Sequence, residues 1–124
     1  MKENTGDKKG QLNLLYARCW YAQALSSKNR EDFEKTQQTL LASVDRLENN
    51  VTVYYNQALV YLKMLQFCNF EKTEISNILS QVNELIQAIN QSLEKDRNSN
   101  KLLGNDRLDF LISSYENAKS HLKQ

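Results

Sequence analysis

Apolar side chains recur along this chain three and four positions apart, strict alternation is missing and proline is absent, a pattern that predicts helices and no strands. Five helices follow from the periodicity, over 11–28, 31–48, 51–67, 70–96 and 106–122. Asparagines stand at the expected starts. Asn29, the Asn49-Asn50 pair, Asn69 and Asn105 each precede a helical pattern, where an Asn side chain can accept a bond from an orphaned backbone N–H. Between the last two helices, "RNSNKLLGN" holds the one glycine beyond residue 10 and reads as an exposed loop. Residues 1–10 carry no apolar side chain after Met1 and two of the three glycines, so burial cannot offset the entropy of ordering them. A disordered tail over 1–10 and a single all-α domain over 11–124 are expected.

The helices differ in how their apolar residues are spread. In the fourth, Ile75, Leu79, Val82, Ile86, Ile89 and Leu93 form one seam that Ile78 and Leu85 widen, suited to an internal core or to zipping against another chain. In the fifth, Leu108, Leu111, Ile112, Tyr115 and Leu122 share a side and leave Asp109, Glu116 and Lys119 for water, the pattern of a lid. The third, "VYYNQALVYLKM" from Val53 to Met64, is apolar on nearly every side, as a helix with neighbours on both flanks must be.

The chain also repeats itself. "WYAQAL" (Trp20 to Leu25) returns as "YYNQAL" (Tyr54 to Leu59) 34 residues later, and "DFEKT" (Asp32 to Thr36) returns as "NFEKT" (Asn69 to Thr73). Trp20 with Tyr54, Ala24 with Ala58, and Phe33 with Phe70 are the shared positions. An alanine lets a second helix approach closely, and an aromatic one turn away fills the groove beside it. This pattern resembles the tetratricopeptide repeat (TPR), a unit of 34 residues in two antiparallel helices. The match covers about 17–82. It departs from the family at Ser27, Thr36, Thr73 and Glu48, and the second copy has three residues inserted before Phe70.

The resemblance implies hairpins stacked as an α-α superhelix, closed by the fifth helix as a C-terminal cap or continued by further repeats in a longer chain. It also implies a groove on the inner face of the first helix of each pair. Carried to this sequence, that face holds Arg18, Tyr21, Leu25 and Lys28 from the first copy, and Thr52, Tyr55, Leu59, Leu62 and Lys63 from the second. The implied function is a non-catalytic adaptor or scaffold that holds a peptide or amphipathic helix of a partner protein. Tyr21 and Leu25 stand where the members that grip acidic chaperone tails carry a polar clamp, so that ligand is not expected. The competing reading is a structural subunit that self-associates through residues 75–93.

Composition narrows the classes further. With 16 Lys and Arg against 15 Asp and Glu the net charge is +1, so no global field gathers polynucleotides or anionic lipid, and nucleic acid is not the expected partner. No apolar run reaches the roughly 18–20 residues that span a bilayer, and the N-terminus lacks the apolar core of a secretory signal. A soluble protein of cytoplasm or nucleus is expected. Cys19 and Cys68 are too few and too distant for a disulfide scaffold or a CxxC pair, and are expected as buried or half-buried thiols. The single histidine, His121, lies near the C-terminus, and no phosphate loop, HExxH or GxSxG is present, so neither catalysis nor a metal or other cofactor is expected.

Overall fold

A computed structural model describes residues 5–42, 51–95 and 105–122. They form five helices: α1 (Thr5–Ser27), α2 (Arg30–Leu41), α3 (Val51–Phe67), α4 (Lys72–Lys95) and α5 (Asn105–Leu122). The all-α class read from the periodicity is the class observed. The expected end of the second helix at 48, the Asn49-Asn50 start signal and the loop around Gly104 lie outside the described residues.

Two helix starts differ from the sequence reading. Helix α1 begins at Thr5, six residues ahead of the start expected at 11. Helix α4 begins at Lys72, later than the start expected after Asn69. The Glu74 carboxylate accepts a bond from the Glu71 backbone N–H at 3.3 Å, the reciprocal half of a capping box, and this competes with the Asn69 signal. At Asn29 the expectation matches: the residue has extended φ/ψ (−91°, 129°), and its side chain accepts from the Glu31 N–H at 3.0 Å. The preceding Lys28 sits at φ 56°, the left-handed conformation that lets the chain reverse in two residues between α1 and α2.

Helix α1 packs on α2, α3 packs on α4, α2 lies against α3, and α5 rests on both α3 and α4. Two buried clusters result. One joins Ala17 and Ala24 of α1 and Phe33 and Leu40 of α2 to Val53, Val60 and Met64 of α3. The other joins Val51, Ala58 and Leu65 of α3 to Ile78, Leu79, Val82, Ile86 and Ile89 of α4 and Leu111 of α5. Helix α3 therefore contributes to both, which accounts for its apolar circumference. Tyr61 and Phe70 touch both clusters and link them.

In the α4 seam Ile78, Leu79, Val82, Ile86 and Ile89 are buried against α3 and α5, Val82 and Ile89 completely. The α5 lid covers its neighbours through Leu111, with Leu108, Ile112 and Tyr115 partly buried. Asp109 and Glu116 reach water as expected, whereas Lys119 is half-buried with its ammonium 5.9 Å from the centre of the Tyr115 ring.

The shared motifs are only partly equivalent. Ala24 and Ala58 are both fully buried at close helix approaches. Trp20 and Tyr54 are both half-buried, but the Lys35 ammonium of α2 lies 4.7 Å from the centre of the Trp20 ring, whereas Tyr54 packs on the α3–α4–α5 cluster. Phe33 lies inside α2, wholly buried and stacked on Phe67 at 6.5 Å. Phe70 precedes α4 and is half-buried beneath the Arg30 guanidinium at 4.6 Å. Thr36 is buried and donates to the Asp32 carbonyl, whereas Thr73 is exposed. The later start of α4 moves "FEKT" out of the helical register it has in α2.

Candidate partner-binding site

Directions of the helices can be read from which residues meet. Arg18 and Tyr21 of α1 share a cleft with Thr52, Asn56 and Leu59 of α3, and farther along the Lys28 ammonium lies 5.2 Å from the Phe67 ring centre, so α1 and α3 run the same way. The Arg107 guanidinium influences Tyr55 near the start of α3, and Ala118 shares a cleft with Leu65 and Gln66 near its end, so α5 is parallel to α3 as well. Arg30 at the start of α2 reaches Glu74 at the start of α4, with Nη2 to Oε2 at 2.7 Å. Helix α2 returns against α3: Phe33 meets Phe67, and the Gln37 side-chain amide donates to the Gln57 carbonyl at 2.9 Å.

Parallel α1, α3 and α5 thus present one face. Two clefts open on it and share Leu59. The smaller, about 50 Å³, lies between α1 and α3 with Thr36 and Leu40 of α2 in its walls; the larger, about 330 Å³, lies between α3 and α5, with Leu62, Lys63 and Phe110 in its walls. No protein-family model, curated protein or solved structure matches this chain. The resemblance to tetratricopeptide repeats therefore rests on the residues quoted above.

Most of the residues expected in the groove do come together. Arg18, Tyr21 and Leu59 line the first cleft, and Leu59, Leu62 and Lys63 the second. Tyr55, packed on the α3–α4–α5 cluster, is close enough that its phenolate would oppose ionisation of Tyr21, and close enough to Arg107 to feel its charge. Burial raises the Tyr21 hydroxyl above the usual tyrosine value, with Tyr55 adding to it. Burial likewise raises Tyr55, against a partial lowering by Arg107. Tyr21, Tyr55, Leu25 and Leu59 are all half-buried, neither sealed into the core nor free of it.

Two expected members are placed differently. Leu25 packs against the α1–α2–α3 cluster and lines neither cleft. Lys28 belongs to the reversal between α1 and α2 and covers Phe67. Sequence reasoning missed the contribution of α5, through Arg107, Phe110, Ser114 and Ala118, and that of α2, through Thr36 and Leu40. One signal was available: Phe110 stands off the Leu108, Leu111, Ile112 and Tyr115 stripe, an aromatic facing away from the core, and it is 58% exposed.

Both cysteines are free. Cys19 is exposed, a correction to the buried thiol expected there, because it lies opposite the side of α1 that Ala17 and Ala24 bury. Cys68 is half-buried. Its thiol is pushed up chiefly by burial and, in smaller part, by Glu34, while Arg30 acts in the other direction, so thiolate is disfavoured. Among the described residues no three His, Cys, Asp or Glu side chains gather as metal ligands, and no helix is long and apolar enough to cross a membrane.

Proposed function

We propose that this chain is a non-catalytic, TPR-like interaction module that holds a peptide or amphipathic helix of a partner protein across the face formed by α1, α3 and α5. One observation carries the reading: half-buried Tyr21 and Leu59 line open clefts on this face, with half-buried Tyr55 close to Tyr21. A partner's apolar side chains would complete the burial of these residues, adding roughly 25 cal/mol for each Å² of apolar surface removed from water. The relation of Ala24 to Ala58 and the parallel course of α1, α3 and α5 support the repeat assignment. The proposed setting is an aqueous compartment inside the cell, in keeping with two unpaired cysteines.

The test is affinity capture from native extract by the intact chain and by a Tyr21→Ala/Tyr55→Ala variant, read by mass spectrometry, with circular dichroism on both. A protein retained by the first and lost by the second at unchanged helicity supports the reading. Unfolding of the variant would make these tyrosines core residues and end the groove assignment. Self-assembly through α4 is the weaker alternative, because Ile78, Leu79, Val82, Ile86 and Ile89 already pack against α3 and α5.

A further inference from the structure

Resting on that reading, we infer that the segment this face accepts is acidic as well as apolar. The charged side chains that line the clefts are both cations, Arg18 at the first and Lys63 at the second, and Arg107 lies near Tyr55. No carboxylate lines either cleft. Helix α3 contains no Asp or Glu, and α1 has none after Asp7. The acids of α5, Asp106, Asp109 and Glu116, are exposed on the arc opposite buried Leu111.

Arg30 pairs with both Glu34 and Glu74, and these are the ion pairs among the described residues. Arg18 and Arg107 are exposed and hold no such partner. Lys63 has only a long contact to the Gln66 side-chain oxygen at 3.4 Å and the Phe67 ring at 6.0 Å. The face that holds the two clefts thus carries three cations and no lining carboxylate.

The spacing fits a helix or extended strand of protein. From Tyr55 to Lys63 along α3 is about 12 Å at 1.5 Å per residue, two turns of a docked helix. Leu59, Leu62 and Phe110 offer apolar contact between the cations, and carboxylates spaced along the segment would meet Arg18 and Arg107 toward the start of α3 and Lys63 about two turns farther on. A polynucleotide is the poorer fit. Three cations neutralise few phosphates, and leucine walls give a sugar–phosphate backbone nothing to bond.

The experiment is selection of a displayed random 16-residue peptide library on the full chain, followed by fluorescence anisotropy of the best binder. Selected peptides should carry Asp and Glu at least threefold above library frequency, together with Leu, Ile or Phe three and four positions apart. Their affinity should fall about tenfold in an Arg18→Gln/Arg107→Gln variant of unchanged helicity, and should fall with added salt. Neutral or basic binders that keep their affinity in that variant would overturn the acidic assignment and leave the docking face standing. Failure to select any peptide in preference to the Tyr21→Ala/Tyr55→Ala variant would overturn both. A labelled 12-nucleotide single-stranded RNA that binds more tightly than the selected peptides would overturn the inference in favour of a polynucleotide.

Discussion

Phe33 and Phe70 occupy matching places in the repeated sequence and different places in the molecule. Phe33 is enclosed on all sides, and Phe33→Ala should cost about 3–5 kcal/mol in urea unfolding. Phe70→Ala should cost distinctly less, because that ring is half-buried under a guanidinium. Equal costs would restore the equivalence that the structure denies. The Arg30–Glu74 contact can be followed by pH. Glu74 is held below the usual carboxylate value first by the Arg30 hydrogen bond and then by the Glu71 N–H. A lowered folded pKa stabilises above the unfolded value of about 4.3 and is lost as pH falls through the folded one. Arg30→Gln should therefore lower the melting temperature at neutral pH, and the difference from the unaltered chain should shrink in acid. At the other limb, Tyr21, Tyr55 and Tyr61 are all raised by burial. Their contribution is complete below the unfolded value near 10 and disappears as pH rises through the folded values, so phenolate absorbance should appear later than in free tyrosine and coincide with alkaline unfolding.

The helices themselves differ in how much a linear pattern could say about them. Helix α4 was legible almost entirely, because a one-sided stripe at spacings of three and four has one physical outcome, burial of that side. Whether the buried side met its own chain or another was not in the pattern. Since Ile86 is buried in the α3–α4–α5 cluster, Ile86→Asp should destabilise the monomer by on the order of 3–5 kcal/mol through an unpaired buried charge. Light scattering across a concentration series should show no dimer lost; a dimer abolished by the change would return α4 to the role of an intermolecular zipper. The turn before α2 was legible through Asn29, but the left-handed Lys28 was not, since lysine carries no preference for that conformation. Lys28→Gly should be close to neutral: it relieves about 1–2 kcal/mol of backbone strain, while losing about 0.5–1 kcal/mol over Phe67 and raising unfolded-state entropy by a similar amount.

At the level of the whole molecule, α3 contributes to both cores, and the rings of Tyr61 and Phe70 touch both. Tyr61→Ala should weaken the coupling between them. Hydrogen exchange should then show α1 and α2 opening before α3, α4 and α5, where the unaltered chain opens more nearly together. From sequence alone came the helical class, the number of helices, the identity of the apolar stripes and the need for α3 to have neighbours on both sides. Each of these depends on local hydrogen bonding or on the period of burial, and both are written along the chain. The structure alone decided the start of α4, the unequal settings of the two "FEKT" segments, the turning inward of the α4 seam, and the entry of Arg107 and Phe110 of α5 into the candidate site. Those depend on which helices lie side by side. That choice belongs to packing between residues far apart in sequence, for which a one-dimensional pattern has no coordinate.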